Sequence, residues 1–245
     1  YTLETSHQQY QVDKNKIRVI YEAGKQIALP NEATMIFEKE WFTKVKKKEY
    51  LLHVGTYDKR KNIPKLIEAF AQLVQQKEYS HLKLVLVGQS AQKINSNHTQ
   101  AINQCIQKYQ LENKVIQTGF IAGNELAIFY LNALLYVFPS INEGFGLPVL
   151  EAFKYELPVL IANNTCLPEV AGQAAVSFDP FDVNDMVIKM KQVIDSPALQ
   201  KELIASGLER LKFFSWQKTS SLLLEVFKEA VKEKSQLELF MKPTE

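Results

Sequence analysis

Short runs of aliphatic and β-branched residues alternate with stretches of helical period along this chain. The runs fall at Ile17–Tyr21, Tyr50–Val54, Leu82–Val87, Lys114–Gln117, Leu134–Phe138, Val159–Ala162 and Ala174–Ser177. Between them, apolar residues recur at helical spacing over Ile63–Gln76, Thr99–Tyr109, Glu125–Leu131, Pro148–Phe153 and Val183–Ile194. Apolar strands separated by helical crossovers predict an α/β fold, a doubly wound parallel sheet flanked by helices. Past Ser196-Pro197 the pattern is helical to near the end, with an amphipathic run over Ser220–Val231. The longest apolar stretch, Leu126 to Phe138, is interrupted by Asn132 and is too short to span a bilayer. It reads as a helix end followed by a buried strand. In sheets of this kind, ligands sit beyond the C-terminal ends of the strands. Arg60, Lys61, Gly88, Gly119, Phe120 and the segment from Glu143 to Leu147 all follow strand runs, so one cleft can gather them.

Composition narrows the classes. A chain of 245 residues with 46% hydrophobic residues can build one large α/β domain with an ample core. The net charge of +2 gives no strong field for nucleic acid. Two cysteines, Cys105 and Cys166, lie far apart without C-x-x-C spacing, and no signal peptide is visible. A cytoplasmic, disulfide-free protein is expected. The basic run Lys44-Val45-Lys46-Lys47-Lys48 reads as a solvated connector. Its alternative is peripheral docking to an anionic membrane, worth about 1 kcal/mol per basic residue. His7, His53, His81 and His98 carry no metal or triad spacing and read as structural or surface residues. No D-x-D motif is present, and Asp179, Asp182 and Asp185 read as turn and N-cap residues.

The richest chemistry lies in Pro139-Ser140-Ile141-Asn142-Glu143-Gly144-Phe145-Gly146-Leu147-Pro148-Val149-Leu150-Glu151, at a strand-to-helix junction. Gly144 and Gly146 flank Phe145, so the backbone can turn sharply and bring N–H groups close to a ligand. Free N–H groups at a helix start suit an anionic group such as a diphosphate. Glu143 and Glu151 flank the turn, and ionised carboxylates are acceptor-only partners for hydroxyls. Phosphate and polyol read together describe a nucleotide-sugar site. Two plainer readings compete. Ser140-x-x-Glu143 fits a capping box, with Glu151 in a first turn serving only the helix dipole. Gly144-x-Gly146-x-x-Val149 is a near miss to the dinucleotide fingerprint, without its third glycine. Arg60 and Lys61 immediately precede Asn62, a good N-cap for a helix with Pro64 in its first turn. Spacing alone also fits a solvated Lys-Arg-Lys turn.

Glu143 to Glu151, with seven residues between them in the setting PS-x-x-EGFGLPVLEA, resembles the Glu-x7-Glu motif of the retaining group 1 glycosyltransferases of the GT-B fold. Val54-Gly55-Thr56-Tyr57-Asp58-Lys59-Arg60-Lys61-Asn62-Ile63-Pro64, followed by Leu66-Ile67-Glu68-Ala69-Phe70, resembles that family's donor-phosphate loop and next helix. Leu84-Val85-Leu86-Val87-Gly88, Gly119-Phe120-Ile121, Leu157-Pro158-Val159-Leu160, Leu167-Pro168-Glu169-Val170 and Phe214-Ser215-Trp216 are similar to further landmarks, in the family's order. The match runs from about Ile17 onward.

The resemblance implies a Rossmann-like domain, one half of a GT-B fold, spanning 17–235. Residues 1–16 are expected to be a remnant of a preceding domain or linker, and 236–245 a C-terminal tail. No initiator Met is present, so a fragment is expected, with the acceptor pocket on an N-terminal domain outside it. The implied function is donor binding for transfer of a hexosyl group from a nucleotide-diphosphate sugar to a glycan or lipid-linked acceptor. Under this reading Glu143 contacts the sugar hydroxyls, and Glu151 binds the ribose diol. Backbone N–H groups from Gly144, Phe145, Gly146 and Leu147 meet sugar and phosphate, with Pro148 beside them. Arg60 and Lys61 hold the diphosphate and stabilise charge on the leaving group, and Gly55, Thr56 and Gly88 line the same loop cluster. The base lies near Gly119 and Phe120. Thr56 stands where many members carry arginine, so Arg60 serves in its stead. Cations and a helix dipole replace a metal, so no cofactor and no metal are expected. The Gly-Thr…Arg-Lys-Asn loop resembles mannosyl- and rhamnosyl-type transferases of polysaccharide assembly, which favours GDP-mannose. The rivals are a non-catalytic nucleotide-sugar module and an NAD(P)-dependent Rossmann oxidoreductase.

Overall fold

The computed structural model describes residues 2–24, 45–89, 97–121 and 123–240. Tyr1, Lys44 of the basic run and residues 241–245 of the expected tail lie outside them. Six strands, β1 (Tyr50–Val54), β2 (Lys83–Val87), β3 (Val115–Gly119), β4 (Leu135–Phe138), β5 (Val159–Ala162) and β6 (Val176–Phe178), form one sheet in the order β3-β2-β1-β4-β5-β6. Every neighbouring pair is parallel. The central strands β4 and β5 are buried throughout, which is why they read as unbroken apolar runs.

The helices are α1 (Thr2–Tyr10), α2 (Ile63–Val74), α3 (Asn97–Lys108), α4 (Gly123–Asn132), α5 (Leu147–Lys154), α6 (Leu167–Ala171), α7 (Val183–Ile194), α8 (Pro197–Leu211) and α9 (Trp216–Phe240). Helix α2 packs against α3 and α7, and α5 against α6 and α8. The winding reverses between β1 and β4, so the chain leaves these two strands toward opposite edges of the sheet and a switch point lies at their C-terminal ends.

Three glycines close the strand ends beside it. The amide of Gly88 donates to Gly119 O (2.9 Å) and that of Gly55 to Val87 O (3.0 Å). At Gly88, φ is +137° and a Cβ would sit 1.9 Å from Gly55 O, so only glycine fits.

Six of the seven expected strands and all five expected helices occur, with ends shifted by a few residues. The exception is Ile17–Tyr21. The sheet ends at β3 and β6, and this segment pairs with neither. A strand needs a neighbouring ladder to take up its N–H and C=O groups, and this run instead lies beside α9. There Thr219 Oγ1 donates to Tyr21 O (2.6 Å), and Arg18 reaches Glu229 at 3.5 Å. The amphipathic run Ser220–Val231 is helical within α9, yet Leu223, Leu224, Phe227 and Val231 are exposed. Helix α9 continues to Phe240, past the expected domain end at 235.

Asp182 caps α7, accepting from the amides of Asn184 and Asp185, and Asp179 accepts from the amide of Phe181, as expected. Asn62 differs. It occupies the N-cap position of α2 but is left-handed (φ 54°), and its side-chain amide donates to Pro180 O (2.8 Å) instead of its side chain capping the helix. The basic run is only partly free. Lys48 donates through its amide to Asn132 O and through Nζ to Ala133 O, both 2.7 Å, closing the end of α4, and Lys46 lies 3.7 Å from Glu49. Among the described residues no helix is long and apolar enough to cross a membrane.

Candidate functional site

Two loops meet at the switch point. The first leaves β1 and makes a 3-10 turn over Lys59–Lys61, capped by Asp58, whose carboxylate accepts from the amide of Arg60 (3.1 Å) and the hydroxyl of Thr56 (2.8 Å). The second leaves β4 and carries Glu143. The amide of Ile141 donates to Arg60 O (2.7 Å) and joins them. Glu143 then binds both cations, Lys61 Nζ to Oε1 at 2.6 Å and Arg60 Nη1 to Oε2 at 2.9 Å. Lys61 and Glu143 are buried, and Lys61 Nζ also stands 4.8 Å from the Phe138 ring centre. Arg60 is different, with 46% of its side chain exposed. Asp58 adds a second carboxylate 3.4 Å from Arg60 Nε, so two cations and two carboxylates balance, with Arg60 on the exposed side.

This geometry removes the capping-box reading of Ser140-x-x-Glu143. Helix α5 starts at Leu147, its N-cap is Gly146 without a side-chain cap, and Glu143 faces the other loop. Glu151 is corrected likewise, because α5 has no acidic residue in its first turn. Instead, Glu151 accepts a hydrogen bond from the hydroxyl of Tyr130 (3.0 Å). Gly146 takes φ +97°, and a Cβ there would lie 2.8 Å from Leu167 Cδ2, so the turn into α5 demands glycine. Val149, at the place of the fingerprint's third glycine, is fully buried.

Phe145 is held by packing. Its ring lies 5.8 Å from that of Phe214, edge-on, and 6.0 Å from that of Tyr21. Arg210 stands over Phe214 at 5.2 Å and donates to Val170 O (2.9 Å). The ring is occupied, so the Gly144–Gly146 turn can offer a ligand backbone groups. Cys166 donates its thiol to Glu143 O (3.2 Å), and burial pushes that thiol up to about 11, leaving it protonated.

Two clefts lie at this end of the sheet. One of about 380 Å³ is lined by Val54, Gly55, Thr56, Gly88 and Phe120 among others, and Phe120 is 71% exposed. The other, about 430 Å³, lies between the Ile17–Glu22 segment and Gly144, Phe145 and Glu169. Its wall includes Tyr21, whose hydroxyl donates to Glu169. The expected site residues therefore gather at one end of the sheet. Gly55, Thr56, Gly88 and Phe120 share the first cleft, Gly144 and Phe145 the second, and Arg60, Lys61 and Glu143 form the ion cluster. Pro148 lies in the first turn of α5 and Gly119 closes β3.

His53, read as structural, is fully buried on β1, with Nδ1 3.0 Å from Val137 O. That carbonyl can only accept, so Nδ1 carries the proton. Burial, aided by the charge of Lys61, lowers its pKa to about 4. The hydrogen bonds of Asp58 to Thr56, Tyr130 to Glu151 and Tyr136 to Val54 O were not foreseen in the sequence. Asp58 had a signal, two residues before Arg60 in turn-favouring sequence; the tyrosines had none, since they sit in apolar runs. Among the described residues no group of three or more His, Cys, Asp and Glu side chains converges as a metal site.

Residues 36–210 match a family model described as glycosyl transferases group 1. The chain is similar to the serotype-specific mannosyltransferase WbdA of Escherichia coli, 35% identical over 180 residues that make up 73% of this chain and 22% of that protein. It is also similar to the O-antigen chain mannosyltransferase B of Escherichia coli, 31% identical over 179 residues, 73% of this chain and 45% of that one. The chain thus spans less than half the length of either relative. Its fold is similar to that of the C-terminal domain of a glycosyl transferase group 1 family protein (LpcC) from Francisella tularensis. That likeness has a TM-score of 0.63 at 22% identity and covers 78% of this chain and 97% of that one.

Proposed function

The chain belongs to the glycosyl transferases group 1, and from that premise we propose that it binds a nucleotide-diphosphate sugar at the crevice between β1 and β4. The whole protein would transfer the hexosyl group, with retention at the anomeric carbon and without a metal, to a glycan or lipid-linked acceptor held outside this domain. The observation that carries the proposal is the Arg60–Glu143–Lys61 cluster at the switch point, beside the start of α5.

The diphosphate is a better partner for Arg60 than a shared carboxylate, and Arg60 is exposed enough to meet it. Lys61, buried, stays with Glu143 and fixes where its carboxylate points. As the bond from the anomeric carbon to the diphosphate breaks, charge grows on the leaving oxygen. Arg60 and the amides around Gly146 stabilise it, each such contact worth typically about 3 kcal/mol in the transition state, and the charge of Lys61 adds to the field there. Glu143 accepts from sugar hydroxyls, Glu151 from the ribose diol, and the base rests against the cleft at Phe120. The named activities of the two Escherichia coli relatives favour a mannosyl donor, GDP-mannose.

A thermal-shift panel of nucleotide sugars tests this. A donor at 100 times its Kd should stabilise the fold by about 2.7 kcal/mol, and GDP-mannose is expected to give the largest shift. No shift with any nucleotide sugar would refute donor binding.

A further inference from the structure

Beneath Glu151 lie three buried tyrosines with different hydrogen bonding. Tyr130, on α4, is fully buried and donates its hydroxyl to Glu151 Oε2 at 3.0 Å. Tyr136, on β4, is also fully buried; its ring lies 5.7 Å from that of Tyr130, and its hydroxyl donates to Val54 O at 3.3 Å. Val54 ends β1, where the chain enters the Gly55-Thr56 loop. Tyr155 stacks on Tyr130 with ring centres 5.4 Å apart, yet its hydroxyl has no hydrogen-bond partner among the described residues.

A glutamate side chain at the edge of a crevice has several rotamers, and a ligand that needs one of them is weakened by the others. One buried donor on Oε2 removes that freedom and leaves Oε1 and the outer lone pairs for a second partner. Burial keeps Tyr130 protonated far above neutral pH, so it can only donate to the carboxylate. We propose that Tyr130 is a positioning residue that aims the Glu151 carboxylate at the vicinal hydroxyls of the nucleotide's ribose. The inference rests on the reading that Glu151 receives the ribose diol. Tyr136 ties the same layer to the end of β1, so the ribose contact and the phosphate loop are held in one register.

The test is calorimetric titration of GDP and UDP and of their 2′-deoxy and 3′-deoxy forms into the wild type and three variants, Y130F, Y155F and E151Q. Removing one hydrogen bond to a charged acceptor is expected to weaken binding of the preferred ribonucleotide about tenfold in Y130F. The deoxy forms should bind Y130F as they bind the wild type, so the ribose preference disappears, as it should in E151Q. Y155F loses a buried hydroxyl without a partner and should keep the full preference. Equal weakening of ribo and deoxy forms in Y130F, or a wild-type preference there while E151Q loses it, would overturn the role of Tyr130 alone. A wild type without ribose preference, an E151Q variant that keeps it, or no binding of either nucleotide would overturn the reading of Glu151 and the inference with it.

Discussion

Lys61 Nζ lies 2.6 Å from Glu143 Oε1, joining residues 82 positions apart across the switch point of the sheet. Both are buried, so neither charge can be left alone cheaply. The pair makes the β1 and β4 loops a single unit. Arg60, on the same carboxylate and 3.4 Å from Asp58, is the half-exposed cation of the cluster.

Lys61→Met should therefore destabilise the fold by roughly 3–5 kcal/mol, since it leaves a buried carboxylate without its main partner. Changing Lys61→Met and Glu143→Leu together should cost less than the sum of the single changes. Urea unfolding of the cycle measures this. Additive effects would show that the two residues do not depend on each other.

Glu151→Gln should weaken nucleoside diphosphate binding about tenfold, because the acceptor becomes neutral and half of it a donor. Calorimetry at constant fold stability checks this. Unchanged affinity would remove Glu151 from the ligand.

His53 sets a pH dependence. Its folded pKa is lowered to about 4, whereas an unfolded histidine titrates near 6.5. Between these values the unfolded chain holds the extra proton, so stability falls as pH drops from about 6.5 toward 4, by about 1.4 kcal/mol per pH unit where the difference is one full proton. His53→Gln should flatten this part of the curve. Urea midpoints at pH 7, 6 and 5 that fall equally in both proteins would contradict it.

Donor binding should survive EDTA. Two cations, Arg60 and Lys61, stand at the loop expected to meet the diphosphate, and the sequence has no D-x-D. Titrating GDP-mannose with EDTA and then with added Mg²⁺ checks this. Binding that requires the metal would reassign both residues.

Much of this architecture was legible in sequence, because parallel strands buried on both faces leave apolar runs that periodicity detects. The switch-point loops were legible too, since glycines and charges after strand runs are rare enough to stand out. What escaped were relations between distant residues. Nothing around Ser140 told that Glu143 would turn away from its own helix to Lys61, because a capping box is local and an ion pair across 82 positions is not. Tyr130 and Tyr136 looked like core, and their hydrogen bonds to Glu151 and Val54 O form only once α4 and β4 come together. Ile17–Tyr21 carries a strand pattern, but pairing needs a neighbour and the described sheet gives it none.

The claim that the Arg60–Glu143–Lys61 crevice receives the donor's diphosphate has one direct measurement, calorimetric titration of GDP-mannose into the wild type and Arg60→Ala. Arg60 is half exposed and Lys61 has its own 2.6 Å contact with Glu143, so the variant is expected to melt close to the wild type. The wild type should bind, and the variant should bind at least roughly tenfold more weakly, through loss of a charge-assisted contact to phosphate. Equal affinity in the two proteins, or no binding by the wild type, would contradict it.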